Sequence, residues 1–447
     1  MQEIELTTEK MAFEGRAIAR QNRFVIFVEG ALPGEKVLAE VTQRKRNHAF
    51  ARVTRVLEAA PYREQPPCAA YGECGGCSFQ QASYSAQLQI KRDVLLESLY
   101  GVPGVPELVL EIIGADSPFR FRNKMVFAFG TSEGQTVLGL HRRREWHSVI
   151  LTDMCMLQSK ESNEIIKRTL AFVKAYSLPV FDDVKNEGLL RNLVIREGKN
   201  TGQRMVHLHA AGPHPAFEQL PVALDGLCDT FVVSYHRNVP EDAPPEHTHV
   251  LKGKGFIEER LNDFTFEIGP STFFQTNTKQ AEKLFRVLAD WAGKVRPKNA
   301  VDLYAGTGPI AIHLGAVAEK VVGIESNADS VKMAQRNIER NQIKNVEMMC
   351  VEVEKAGIRA FPTPTDLIVV DPPRAGLHKK AVELLLCVGA PNLFYVSCNP
   401  ATLARDLKLL VAGGYGVDAI QPLDMFPHTF HIEAIVRLSA HDRLATA

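Results

Sequence analysis

The sequence has no excess of either charge: 52 Lys and Arg face 52 Asp and Glu. That balance excludes an overall basic protein, so any nucleic-acid surface has to be a local patch. Long apolar runs are missing as well. No stretch approaches the roughly 18 consecutive apolar residues of a membrane-spanning helix, and Met1 to Glu14 is polar and acidic. The expectation is a soluble, cytoplasmic, monomeric chain with no membrane partner. Cysteine is sparse, eight in 447 residues and unevenly placed, which argues against a disulfide framework. Neither an internal repeat nor a low-complexity tract is evident. What the chain has is length, enough for roughly three domains.

Residues 11–58 read as strands broken by turns. Phe24 to Val28 is β-rich, and Leu32-Pro-Gly-Glu-Lys36 turns into Val37-Leu-Ala-Glu-Val41. A small β-barrel closes such a pattern. Arg44 to Arg55 carries five Lys or Arg and no acid, Arg44, Lys45 and Arg46 among them, which suits phosphate contacts or a plain solvated edge strand. This segment resembles a TRAM domain, the OB-like RNA-binding module of certain RNA-modifying enzymes. Next comes Cys68-Ala-Ala-Tyr-Gly-Glu-Cys74-Gly-Gly-Cys77, with Cys155 further on. Three close thiols and a distant fourth fit a structural zinc or an iron–sulfur cluster by ligand softness. The spacing is not that of a radical enzyme. A helix is predicted over 84–99, with Gly101 just past its end. Phe119 to Phe129 alternates, so that one strand face would carry Arg120, Arg122 and Lys124. A second basic cluster follows at His141 to Trp146. Cations among aromatics offer RNA phosphate contacts and stacking surfaces. From Leu189 to Glu267 several alternating strands and a Pro- and acid-rich loop at Val239 to Glu246 indicate a mostly β central domain.

The C-terminal part alternates strands and helices. A helical pattern from Gln280 to Ala292 leads to Asn299-Ala-Val-Asp302-Leu-Tyr304-Ala-Gly306-Thr-Gly308, a strand and a glycine turn that open a helix and let backbone approach a ligand. The next strand ends at Glu325, where an acid can accept bonds from both ribose hydroxyls. With no third glycine for a pyrophosphate, the turn favours S-adenosylmethionine over a dinucleotide. Asn337 and Asn341 sit on the helix that follows, and Glu352, after the next strand, could face adenine. Thr365 to Val370 runs into Asp371-Pro-Pro-Arg374. Amine-methylating enzymes place an aromatic after the two prolines; Arg374 stands here instead, while Asp371 can hold a uracil edge or the cofactor amine. Leu393 to Val396 then delivers Ser397-Cys398-Asn399-Pro400, placing a thiol at the carboxyl end of a strand, where open α/β sheets bind ligands. Near the C-terminus, Glu433 interrupts an apolar run at what reads as the sheet edge, which is costly unless the acid has a task.

A thiol, a carboxylate and S-adenosylmethionine define a specific chemistry. Carbon 5 of uracil is a poor nucleophile until a thiolate adds to carbon 6; the resulting enolate can take the methyl group, and a base then removes the carbon-5 proton to expel the enzyme. A base inside folded RNA must be splayed out to reach these groups.

Nearly the whole chain resembles the RNA uridine-5-methyltransferase family, which includes ribosomal and transfer-RNA enzymes. The motifs that carry the likeness are the TRAM-like start, the cysteine loop, Phe274-Gln275-Thr-Asn277, Asp302 to Gly308, Asp371-Pro-Pro-Arg374, Ser397-Cys-Asn-Pro400 and His431-Ile-Glu433. The resemblance implies a class I methyltransferase fold behind an OB-like barrel (1–59), a mostly β central domain with an iron–sulfur loop (60–265) and a catalytic domain (266–447) on which helix 84–99 packs back. It further implies Cys398 as nucleophile, Glu433 as base, and Cys68, Cys74, Cys77 and Cys155 as ligands of a 4Fe-4S cluster. Gln275, Tyr304, Gly306, Gly308, Glu325 and Asp371 correspond to cofactor contacts, and 23S ribosomal RNA is the expected substrate, with transfer RNA the alternative. The chain departs from the pattern at Ala305, where relatives often have Cys, and at Pro309, where some have a cofactor-touching Asn. Two rival readings are cytosine-5 methylation, whose RNA enzymes usually carry Pro-Cys where this chain has Pro-Pro-Arg, and a non-catalytic RNA-binding or assembly factor.

Overall fold

The computed structural model of the protein describes residues 3–102, 104–236 and 247–441; the loop at Val239 to Glu246 lies outside them. Strands β1 (Glu3–Met11), β2 (Ala17–Gln21), β3 (Phe24–Glu29), β4 (Lys36–Arg44) and β5 (His48–Glu58) close into a barrel in the order β1-β2-β3-β5-β4. Small and β-branched side chains, among them Ala17, Ala19, Val28, Val37 and Ala39, fill its inside. Since β5 pairs with both β3 and β4, the basic stretch is no edge strand. Closure removes the edge altogether.

Helix α1 (Tyr84–Leu99) starts where the Ser83 hydroxyl accepts the Ala86 amide. Its Ile90 and Val94 belong to the barrel core, while Leu95 and Leu99 belong to the core of the C-terminal half. The central sheet comprises β6 (Lys124–Ser132), β7 (Gln135–Arg142), β8 (Glu145–Leu151), β9 (Leu190–Glu197), β10 (Arg204–Ala210), β11 (Thr230–Tyr235) and β12 (His247–Lys252), in the order β12-β11-β10-β9-β6-β7-β8. Helices α2 (Lys160–Ala175) and α3 (Leu220–Ala223) join one apolar core with this sheet. The alternation predicted from Phe119 does not begin there. Arg120 has a left-handed backbone (φ 55°) and the strand starts only at Lys124, so Arg120, Arg122 and Lys124 do not share one strand face.

A hairpin of β13 (Ile257–Leu261) and β14 (Phe264–Ile268) leads into α4 (Thr278–Val295) and a second seven-stranded sheet. Its chain order is β15 (Asn299–Leu303), α5 (Pro309–Gly315), β16 (Lys320–Glu325), α6 (Ala328–Arg340), β17 (Val346–Cys350), α7 (Val353–Ala356), β18 (Leu367–Val370), α8 (Lys379–Val388), β19 (Asn392–Ser397), α9 (Pro400–Ala412), β20 (Tyr415–Leu423) and β21 (Glu433–Ala440). In space the strands run β17-β16-β15-β18-β19-β21-β20, parallel except for β21. Leu367 to Val370 is completely buried, as a parallel strand covered on both faces must be. Strand β21 lies inside the sheet, between β19 and β20, so Glu433 is not at a sheet edge. Among the described residues no helix is long and apolar enough to cross a membrane.

Candidate active site

The turn after β15 is built from backbone that favours glycine. Tyr304, Gly306 and Gly308 have φ of 63°, 57° and 84°, and Gly308 caps α5, whose first residue is Pro309. Asp302, wholly buried, accepts the Ala311 amide of α5 at 2.9 Å, tying the strand to the helix it feeds. Its pKa is raised well above the usual carboxylate range by burial and then by the charges of Asp371 and Glu325. Glu325 accepts the Gly306 amide at 3.0 Å. Gln275, Tyr304, Gly306 and Asp371 line one small hollow beside this turn together with Phe273 and Phe274. Asn123 holds the Gln275 side of the hollow, donating its side-chain amide to the Gln275 carbonyl at 2.8 Å. Glu352 turns away to Lys355, and it is Glu354 that accepts the Tyr304 hydroxyl at 3.2 Å.

Cys398 and Glu433 come together through strand register. Ser397 of β19 pairs with Ala434 of β21, so the next residue along β19 and the residue before Ala434 stand side by side at the carboxyl end of the sheet. Pro400 stops the strand and opens α9, leaving the thiol half-buried on the connecting turn. Burial, then the charges of Glu433 and Asp371, push the Cys398 thiol up to about 11, against the Arg374 guanidinium. Burial and the neighbouring Asp371 likewise raise Glu433, again opposed by Arg374. The four side chains thus form one electrostatic cluster. Arg374 is held there through its own carbonyl, which accepts the Asn399 side-chain amide at 3.2 Å.

Cys68, Cys74, Cys77 and Cys155 lie close enough to feel one another's charge, and all four are free thiols. Burial is the main cause that raises Cys74, Cys77 and Cys155, with Cys77 reaching about 12. The Gly76 amide donates to the Cys74 sulfur at 3.3 Å. Among the described residues no three His, Cys, Asp or Glu side chains converge closely enough to hold a single metal ion. Beside the thiols opens a cleft of about 750 Å³, far larger than the hollow at the glycine turn, lined by Arg122, Lys124, Arg16, Arg142 to Arg144 and Phe430. Lys124 is pushed down to about 8 by burial and the charge of Arg196. Arg142, Arg143 and Arg144 are less available than their run suggests: Arg142 meets Glu73, and the other two meet Glu29. Arg44 at the end of β4 and Lys45 on the β4–β5 connection lie over the Phe24 and Phe50 rings respectively, and Arg16 covers the same Phe50 ring. Arg46 is exposed on that connection.

Comparison with known proteins bears on these groups together. The chain is 35% identical to an RNA methyltransferase of Clostridium tetani described as uncharacterised, over 99% of this chain and 98% of that one. The tRNA (Uracil-5-)-methyltransferase family model matches residues 246–441, and the TRAM domain model matches residues 1–54. The chain belongs to the RNA uracil-5-methyltransferase family. This methyltransferase also resembles the crystal structure of the Pyrococcus abyssi tRNA (uracil-54, C5)-methyltransferase in complex with S-adenosyl-L-homocysteine, at 30% identity and a TM-score of 0.79, over 97% of this chain and 99% of that one. A relative in Gloeobacter violaceus, again described as an uncharacterised RNA methyltransferase, is 35% identical over 96% of this chain and 94% of its own length. The enzyme therefore has the S-adenosylmethionine-dependent methyltransferase fold behind a TRAM barrel.

Sequence reasoning passed over several residues of this methyltransferase that hold the site. Asp406, wholly buried, accepts the Tyr395 hydroxyl at 2.7 Å and the Leu377 amide at 2.8 Å, fixing the loop that carries Arg374. Lys91 pairs with Asp424 at 2.5 Å with both side chains fully buried. Asp424 follows the apolar end of β20, the kind of signal that drew notice to Glu433, whereas Lys91 and Asp406 stand beside other charged residues on their helices and carry no such mark.

Proposed function

We propose that this enzyme methylates carbon 5 of a uridine in structured RNA through a covalent adduct, with 23S ribosomal RNA as the substrate. The observation that carries the reading is the pairing of Cys398 with Glu433 across neighbouring strand ends, a step from the Asp371 side of the cofactor hollow. In the reaction the Cys398 thiolate adds to carbon 6 of a splayed uracil, and the electron pair pushed onto carbon 5 takes the methyl group of the sulfonium. Glu433 then removes the carbon-5 proton, and the Cys398–carbon 6 bond breaks to regenerate the thiolate and the aromatic base. Gln275, Tyr304, Gly306, Gly308, Glu325 and Asp371 are the cofactor contacts in this reading, supported by the hollow they surround or adjoin. Arg374, beside Cys398 and Glu433, meets the RNA. Arg122 and Lys124 supply phosphate contacts in the cleft, and the barrel cations Arg44, Lys45 and Arg46 supply others on the barrel surface. The division into 1–59, 60–265 and 266–447 assigns RNA grip to the first two units and chemistry to the third, in a monomer acting in the cytoplasm.

Cys68, Cys74, Cys77 and Cys155 are the ligands of a 4Fe-4S cluster in this reading. The donor set is all thiol, largely buried, and carries an amide directed at sulfur. Four thiols suit a tetrahedral zinc or an iron–sulfur cluster by ligand softness, and the family resemblance favours the cluster. Such a cluster would supply cross-linking of the loop to Cys155, and no methyl-transfer step requires it. Transfer RNA is the second substrate reading, favoured by the Pyrococcus abyssi relative's named target.

The test uses 23S ribosomal RNA and transfer RNA with wild-type and variant enzyme. Glu433→Gln is expected to accumulate a denaturant-resistant protein–RNA adduct with the true substrate, and Cys398→Ala to form none; an adduct with the alanine variant would overturn the nucleophile assignment.

A further inference from the structure

The segment that delivers Glu433 is held from outside the sheet it belongs to. Between β20 and β21 the chain is held from two sides: Gln280 donates to the Asp424 carbonyl at 3.0 Å and Asn277 to the Met425 carbonyl at 3.1 Å, while the Asp424 carboxylate, the Phe426 carbonyl and His428 meet the N-terminal half. Asp424 accepts from Lys91 at 2.5 Å and from the Tyr84 hydroxyl at 2.8 Å, and the Phe426 carbonyl accepts from Lys91 at 2.9 Å. The tightest grip is on His428. Its carbonyl accepts the Ser78 and Phe79 amides at 2.7 and 3.0 Å, its amide donates to the Gln87 side-chain oxygen at 2.9 Å, and the Phe119 ring stacks on its imidazole at 4.2 Å. His428 has a left-handed backbone, φ 64°, a conformation that a non-glycine residue keeps only where its surroundings impose it.

Ser78 and Phe79 are the two residues directly after Cys77. Fixing Cys77 therefore fixes two donors on His428, five residues before Glu433. We propose that the cysteine loop positions the catalytic base: His428, clamped by Ser78, Phe79 and Gln87, is a positioning residue that sets where Glu433 meets carbon 5. This rests on the proposed roles of Glu433 and of the four cysteines. Cys398, on the β19–α9 turn, is held by other contacts: Ser397 and Asn399 bond each other, and Asn399 reaches Arg374. Loosening the cysteine loop thus leaves thiol attack and methyl transfer in place and slows only the last step. The carbon-5 proton stays on, the Cys398–carbon 6 bond does not break, and methylated adduct accumulates.

The experiment follows backbone hydrogen exchange in the full-length protein for peptides covering 424–433 and 392–398, in wild type as purified, in wild type stripped of metal by a chelator under reductant, and in metal-loaded Gln87→Ala. Expected is exchange about tenfold faster in 424–433 in the stripped protein and in Gln87→Ala, with 392–398 unchanged. In parallel, Gln87→Ala is expected to build up denaturant-resistant methylated adduct, and Gln87→Glu, which restores an acceptor for the His428 amide, to lower it again. Unchanged exchange in 424–433 in both altered proteins overturns the proposal, and so does equal loss of protection in both peptides. A wild type that forms no adduct with RNA carrying 5-fluorouracil at the target overturns the covalent reading instead, and the exchange data still decide this one.

Discussion

In the proposed reaction Cys398 reacts as a thiolate, yet its surroundings favour the thiol. Burial and the acids Glu433 and Asp371 hold it near 11, with Arg374 and a backbone amide pulling the other way. Below its pKa the thiolate fraction rises about tenfold per pH unit. Single-turnover adduct formation with RNA carrying 5-fluorouracil at the target should therefore accelerate close to tenfold per unit between about pH 7 and 9. Glu433 takes no proton in that experiment, since carbon 5 carries fluorine; its raised pKa bears on the release step with ordinary uridine, where in the proposed reaction it must be ionised to act as base. A rate independent of pH over that window would show that the substrate complex deprotonates the thiol by another route. These two residues were legible in the sequence, one from its strand-to-turn position and the other as an acid in an apolar run. Glu433's place was misjudged, since an apolar run does not say which strands flank it.

The glycine turn is the element that the sequence described most completely. Asp302 to Gly308 predicts a strand, a tight turn and a helix start, and β15 and α5 follow that pattern. The structure adds why the second glycine is required. A Cβ on Gly308 would stand 3.2 Å from the Ala334 Cβ on α6, at a backbone angle that side chains rarely adopt. Gly308→Ala should cost about 1–2 kcal/mol of stability from the left-handed angle alone and weaken S-adenosylmethionine binding, both read from thermal melts with and without the cofactor. Unchanged melting in both conditions would mean that the turn relaxes freely. The basic strands were less legible. Periodicity marked Phe119 to Phe129 as one strand, but the left-handed turn at Arg120 postpones the strand to Lys124, and barrel closure turned an apparent edge into the paired strand β5.

At the scale of the whole molecule, α1 joins the halves. Ile90 and Val94 face the barrel and Leu95 and Leu99 the C-terminal core, while Lys91 between them meets Asp424 where neither reaches water. Removing one partner of a buried pair leaves the other charge stranded. Lys91→Ala should cost about 3–5 kcal/mol, and calorimetry should show barrel and C-terminal half melting together at a lower temperature; a shift confined to one of two separate transitions would refute the link. The sequence alone determined the motifs whose meaning is local: the glycine turn, the thiol at a strand end, the clustered cysteines, and the helix at 84–99, each defined by residues within one or two turns of chain. Tertiary structure alone decided what depends on residues tens to hundreds of positions apart. It set Glu433 beside Cys398 by the register of β21 against β19, matched Lys91 to Asp424, and laid Ser78 and Phe79 on His428. The last two sets of partners share no sequence period, because they meet only when the N-terminal segment folds back and the buried polar groups of both halves must satisfy one another.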